Sequence, residues 1–317
     1  MSKNELTINL SVYFFGMNFA RDIEEYERRD LIKMKPNYET KTLKTDHYTL
    51  QLFLDYFNER IRVDNYRGNV SLIVKDIHEI TKKHEFTKII FYSRPEHWKQ
   101  LLREGFELEA VFTGFFNGTD AYAMTSYKHI DRKSSNYWIN EDNTLQTIIE
   151  KGRNTEVKNP PTTYRFRQAD VQDTVELANL YGTVFEIYPT PMNEPEYLRQ
   201  VMSEGNLFYV VEYDKKIVSA ASADVNLNFH NAELTDCATL PEHRKYGLMK
   251  KLLVHLEEAL KEKGIYCAYS IARALSFGMN AAFYQLGYEY GGRMTNNCYI
   301  FDKMEDMNVW VKDLSTE

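Results

Sequence analysis

Hydrophobic and polar residues change period several times along this chain, and each change marks an element. Apolar residues recur at Leu248, Leu252, Leu253, Leu256 and Leu260, the spacing of one helix face, and Lys263-Gly264 supplies the stop. Ahead of that helix, residues 207–212, 217–226 and 232–240 read as strands. Turn signals at Asp214-Lys215 and at residues 228–231 separate them, which predicts an antiparallel meander. Further upstream, residues 164–167 read as a short strand, 170–185 as a helix, and 194–203 as a second helix behind the turn-like Tyr188-Pro189-Thr190-Pro191. Behind the long helix come an apolar strand at 265–272, a short helix at 276–286 closed by Gly287, and a closing strand pair at 288–294 and 298–311. The predicted class is α/β in the α+β sense, a mixed and mostly antiparallel sheet flanked by helices.

A polar, charge-rich stretch at 151–163 carries Pro160-Pro161, which cannot continue a helix, so it reads as a linker between residues 1–150 and residues 164–317. The first half echoes the second. GFELEAVFTGFFNG from Gly105 parallels GYEYGGRMTNNCYI from Gly287, and the order upstream also repeats. Arg67 precedes a helical run at 70–84, a strand at 88–92 and a helix around 98–102, as Arg244 precedes the elements up to Leu286.

Composition narrows the class. The 317 residues suffice for two hydrophobic cores, and 43% hydrophobic with 14% aromatic content belongs to a globular protein. A net charge of -7 argues against nucleic-acid binding, which needs a basic surface. Three dispersed cysteines, Cys237, Cys267 and Cys298, suit buried thiols rather than a disulfide framework, and the eight histidines show no metal-ligand spacing. With no apolar run of eighteen residues and no leader-like N-terminus, a cytoplasmic protein that engages no membrane is expected. A homodimer is compatible with this composition.

The segment DCATLPEHRKYGLM, residues 236–249, carries chemistry because a strand runs into a turn and then into an amphipathic helix. A pyrophosphate needs backbone N–H groups and positive charge converging on its oxygens. Arg244-x-x-Gly247 at a helix entry offers both, and glycine permits close approach. The segment resembles the signature of the GNAT superfamily, Arg or Gln, two residues, Gly, one residue, then Gly or Ala, and residues 164–312 follow that family's element order. LGYE at 286–289 matches its later LGFE-like segment. Met249 departs from the pattern. The resemblance implies acetyl-coenzyme A as cofactor, held by Arg244, Lys245, Tyr246, Gly247, Leu248 and Met249 and by the strand edge Cys237, Ala238 and Thr239. It also implies direct attack by an amine on the thioester and a first half that is a degenerate GNAT-like domain. That half reads Gly68-Asn69-Val70 after Arg67, without the signature glycine, so it is expected to bind no cofactor.

An alkyl ammonium must lose a proton before it attacks, at a cost of about 4–5 kcal/mol at neutral pH, which calls for a carboxylate base. Glu233 stands at the offset from the signature where histone-acetylating members carry theirs. Asp236, an odd number of positions away, is expected on the opposite strand face. A family tyrosine that protonates the departing thiolate is replaced by Phe283, with Tyr284 as its neighbour. Either carboxylate could instead be a structural strand residue.

Within the superfamily the chain most resembles the β-lysine N-acetyltransferases. The resemblance rests on Tyr188-Pro189 with Pro191, NAELTDCATLPEHR at 231–244, IARALSFGMN at 271–280, EDMNVWVK at 305–312, VDNYRGN at 63–69 and GFFNG at 114–118. It implies acetylation of the terminal amine of free β-lysine in compatible-solute synthesis. Arg273 is a candidate for the acceptor carboxylate, with Tyr188, Asp236, Ser276 and Asn280 as further acceptor contacts. Two other readings remain open: a GNAT enzyme acting on another small amine such as lysine or a polyamine, and a non-catalytic acyl-coenzyme A sensor.

Overall fold

The computed structural model describes residues 37–153, 160–301 and 303–316; residues 1–36 of the expected first domain and 154–159 of the expected linker lie outside the described residues. Every element below lies in the compact unit Tyr38–Glu317. The first half contains strands β1 (Tyr38–Lys44), β2 (Tyr48–Asp55) and β3 (Arg60–Gly68), helix α1 (Val70–His84), β4 (Lys88–Ser93), α2 (Trp98–Arg103), β5 (Glu107–Phe116), β6 (Thr119–Tyr127), α3 (Ile130–Lys133) and α4 (Trp138–Glu150). The second contains β7 (Arg165–Gln168), α5 (Thr174–Val184), α6 (Pro195–Ser203), β8 (Leu207–Tyr213), β9 (Lys216–Asn226), β10 (Asn231–Thr239), α7 (Leu248–Glu262), β11 (Cys267–Arg273), α8 (Phe277–Gln285), β12 (Glu289–Ile300) and β13 (Lys303–Asp313).

Local chemistry sets the ends of the two long helices. Asn69 caps α1 by accepting from the Leu72 amide, and Glu85 ends it in the left-handed conformation. Helix α7 starts at Gly247 with no side-chain cap and buries Leu248, Leu252, Leu253, Leu256 and Leu260, the face read from the sequence. That face packs on β8, β9 and β10.

All the strands join one sheet in the order β1-β2-β3-β4-β6-β5-β12-β13-β11-β10-β9-β8-β7. Reading inward from either edge, and setting β7 aside, both halves show one plan: three antiparallel strands, a parallel neighbour reached through a long helix, then a reversed final hairpin. The halves meet where β5 pairs with β12 at Ala110 and Gly292. Glycine is required there, since a side chain on Gly292, at φ 136°, would overlap the Glu109 carbonyl, and one on Gly291 would overlap that of Val111. An aromatic core containing Tyr92, Phe112 and Phe115 packs with Met294 and Val309 across this seam.

The closing hairpin differs from the sequence expectation. The polar run Thr295-Asn296-Asn297 suggests a turn, but β12 continues through it as a bulge, with Asn296 at φ 42° and its amide donating to Asp306. Cys298 therefore pairs with Glu305 from within β12.

Candidate active site

The site forms where two parallel strands part. Strands β10 and β11 pair only from Asn231–Cys267 to Glu233–Tyr269 and then diverge. Against β9, β10 carries a bulge between Thr235 and Ala238, and Asp236 sits there at φ 48°. A bulge inserts a residue and resets the side-chain alternation. Glu233 and Asp236, which regular alternation puts on opposite faces, consequently line the same cavity.

One cavity, of about 740 Å³, occupies the divergence and runs to the start of α7. Cys237, Thr239, Arg244, Lys245, Gly247, Leu248 and Met249 line it, as the sequence suggested. Lys245 and Gly247 both have positive φ, at 74° and 75°, which curls the turn before the helix. The N-cap position of α7 is Gly247, which has no side chain to bond the first-turn amides. Uncapped amides at a helix entry, flanked by Arg244 and Lys245, fit a pyrophosphate. Ala238 and Tyr246 do not line the cavity: Ala238 is buried on the α5–α6 side of the sheet, and Tyr246 is exposed, its ring beside Tyr164. Arg244 is exposed and, among the described residues, bonds the Thr239 carbonyl at 3.1 Å, so reversing its charge should leave the fold intact. Arg244→Glu is expected to weaken acetyl-coenzyme A binding at least tenfold by calorimetry, through loss of a charge-assisted donor and gain of like charge.

A second cavity, of about 770 Å³, opens on the other side of β10 and takes residues from both halves. Tyr188, Thr235, Asp236, Ile271, Ile300 and Met307 line both cavities and so mark their junction. Asp236 is fixed by Ser222 Oγ at 2.6 Å and by the Tyr188 hydroxyl at 3.1 Å, and Tyr188 stacks on Phe185. Burial raises the Asp236 carboxyl. Asp224 stands directly across β9 from Glu233. Asp224 is open to the cavity, and desolvation among the surrounding groups, with Asp236 and Glu233 nearby, raises its carboxyl. Burial likewise pushes Glu233 up to about 7, with the Arg62 guanidinium pulling down and Asp236 pushing up. A carboxyl poised near neutrality suits a general base. The carboxylates facing one another across a strand pair suit a cationic ligand, since like charges directly opposite are unfavourable without one.

Several sequence candidates fall elsewhere. Arg273 lies in the wall of the first cavity, not the second, because its guanidinium pairs with buried Glu305 at 2.7 Å and stacks on Phe301. Ser276 also lines the first cavity. Asn280 is fully buried: its amide donates to the Arg273 and Ser276 carbonyls and accepts from Trp310 and Asn308, which makes it a structural lock for β13. Helix α8 presents Phe283 to the cavity, whereas Tyr284 packs near Trp310 with Arg153 over its ring. Asp224 and the first-half residues Arg60, Arg62, Asp64 and Tyr92 also line the second cavity, a role that the sequence motifs do not mark. The available signal was the alternation Arg60-Ile61-Arg62-Val63-Asp64, which puts charge on one face of an interior strand.

The first half repeats the divergence of β10 and β11, and a side chain bridges it there. Strands β3 and β4 pair from Arg60–Lys88 to Val63–Phe91 and then part. Arg94 bridges the gap, donating to the Tyr66 carbonyl at 2.9 Å and to Asn65 Oδ1 at 2.8 Å.

Residues 174–288 match the acetyltransferase (GNAT) family, and the chain belongs to that family as an acetyl-coenzyme A-dependent N-acetyltransferase. It is 35% identical to N-acetyltransferase YodP of Bacillus subtilis (strain 168), over 86% of this chain and 99% of that protein. It is also 34% identical to the beta-lysine N(6)-acetyltransferase of Methanosarcina mazei, over 72% of this chain and 91% of that one. A third relative, the beta-lysine N(6)-acetyltransferase of Methanococcus maripaludis, is 30% identical over 80% of this chain and 93% of its own length. Among solved structures, the ribosomal-protein-S18-alanine N-acetyltransferase of Escherichia coli aligns with a TM-score of 0.43 at 19% identity, over 49% of this chain and 96% of that one. Among the described residues, no helix is long and apolar enough to cross a membrane.

Proposed function

We propose that the protein acetylates the terminal amine of β-lysine to form the compatible solute Nε-acetyl-β-lysine in the cytoplasm. The observation that carries this reading is Glu233, a carboxyl poised near 7 in a polar cavity that meets the cofactor cavity along Tyr188 and Asp236. Bound acetyl-coenzyme A supplies the thioester carbonyl. Glu233 takes a proton from the ammonium group, Asp224 and Asp236 offset the acceptor's positive charge, and the Tyr188 loop covers the junction. The names of two relatives support β-lysine as the acceptor. We also propose that the first half, with Arg94 bridging its strand divergence, is a cofactor-free copy of the fold that walls the acceptor cavity.

The acidic wall keeps a second reading in view, a polyamine acceptor, because carboxylates outnumber guanidinium groups in the cavity. Thiol release from acetyl-coenzyme A, assayed with β-lysine, lysine and spermidine, separates the two. The expected result is a kcat/KM at least tenfold higher for β-lysine. Preference for spermidine would overturn the acceptor assignment, and no turnover of any amine would favour an acyl-coenzyme A sensor.

A further inference from the structure

Building on that reading, we infer that Arg62, a residue of the first half, binds the carboxylate of the acceptor and thereby makes the site specific for an amino acid rather than a diamine. Among the described residues, strand β3 carries the two guanidinium groups that line the acceptor cavity, and they differ in commitment. Arg60 Nε pairs with Asp55 at 2.8 Å, its Nη1 donates to the Asn297 carbonyl at 2.9 Å, and its Nη2 faces Cys298 Sγ at 3.9 Å. Arg62 gives Nε and Nη2 to Asp64, and its Nη1 takes no hydrogen-bond partner among the described residues. The Phe53 ring, 4.8 Å from the guanidinium carbon, and the Tyr92 ring, 5.7 Å from it, fix its plane. A guanidinium held by aromatic faces and a carboxylate, with a free N–H edge toward a cavity, is prepared to receive an anionic oxygen.

The repeated fold places this arginine and the base at equivalent positions of the two halves. Arg62 is the third paired residue of β3 against β4, and Glu233 is the third paired residue of β10 against β11. Both line the same cavity. The cavity thus brings the guanidinium edge of Arg62, backed by Asp64 of the first half, into one space with Glu233, Asp224 and Asp236 of the second. β-Lysine has complementary groups, a carboxylate at one end and ammonium groups along the rest of its chain. Arg273, the arginine that sequence position alone suggests, is held by Glu305 on the other cavity.

The test compares β-lysine with 1,4-diaminopentane, which is β-lysine without its carboxylate, using wild type and Arg62→Gln. Both are assayed at pH 9, above the value of about 7 to which burial moves Glu233, to limit the change in its ionisation when the neighbouring cation is lost. Wild type should prefer β-lysine, and Arg62→Gln should lower the kcat/KM ratio of the two substrates by roughly 10- to 100-fold, chiefly through KM for β-lysine, the range of a hydrogen bond to a charged group. An unchanged ratio overturns the assignment, as does a wild type that turns over both substrates equally. Should the variant fail to fold, β-lysine methyl ester assayed with wild type removes the negative charge from the ligand instead, and a KM equal to that of β-lysine overturns the inference. If wild type acetylates no β-lysine but acetylates lysine, the acceptor reading fails, yet lysine against 1,5-diaminopentane tests the same arginine. Acetylation of polyamines alone overturns both.

Discussion

Glu233→Gln is expected to lower amine acetylation at pH 7 by roughly 100- to 10,000-fold while acetyl-coenzyme A affinity stays near wild type. Glutamine preserves the shape of the residue and removes only its basicity, and Glu233 lines the second cavity without lining the one at the start of α7, where the cofactor is proposed to sit. The pH profile adds a sharper readout. Because burial moves the Glu233 carboxyl up to about 7, wild-type kcat/KM should rise through pH 7 as the base ionises. In the variant that limb should vanish, and activity should climb only as solvent deprotonates the free amine toward its pKa of about 10.4. A variant that retains wild-type turnover at pH 7 would make Glu233 a structural carboxylate.

The same shift predicts a stability gain with the opposite sign. The folded state holds the Glu233 proton more tightly than the unfolded chain, so the favourable contribution of the protonated form is present below about 4.5 and lost as pH rises through about 7. Above pH 7 the ionised, crowded carboxylate costs the fold up to about 3 kcal/mol. Thermal unfolding at pH 8 should therefore find Glu233→Gln more stable than wild type, a compromise typical of residues retained for chemistry.

Much of the second half is legible in the sequence because its signals are local. The leucine spacing of α7, the Arg244-x-x-Gly247 entry and the strand before it each follow from residues within one or two turns of each other. What escapes is decided by partners distant in sequence. Arg273 reads as free until Glu305, 32 residues on, takes it, and Asn280 reads as a polar lining residue until Trp310 and Asn308 close over it. Regular alternation misassigns Asp236 because a bulge, which has no reliable sequence mark here, intervenes after Thr235. Arg62 is hardest to find, since its cavity exists only after the two hairpins meet at Ala110 and Gly292.

That junction carries the other large effect, at Lys88. Its side chain is fully buried, its ammonium lies 2.8 Å from Glu109 Oε2, and it donates to the Thr295 carbonyl of β12 at 2.8 Å. Glu109 in turn accepts from the Thr295 amide and from the Tyr127 hydroxyl. Lys88→Met would leave a buried carboxylate without its cation and a strand carbonyl without its donor, a loss of about 3–5 kcal/mol, which is a large share of the stability of an ordinary domain. Lys88→Met combined with Glu109→Met removes both charges together and should recover at least half of that loss, because a buried pair replaced by apolar groups is often near neutral. Chemical unfolding of the three proteins tests this, and a single variant within 1 kcal/mol of wild type would refute the account. The pH dependence provides a second check. Burial holds the Lys88 ammonium down at about 8, so between about pH 8 and 10.5 the unfolded chain binds more protons and this residue makes wild type gain stability as pH rises. Lys88→Met should lose that increment. Lys88 also reaches Asn297, which lines the acceptor cavity, so the variant should raise KM for the amine before it alters cofactor affinity.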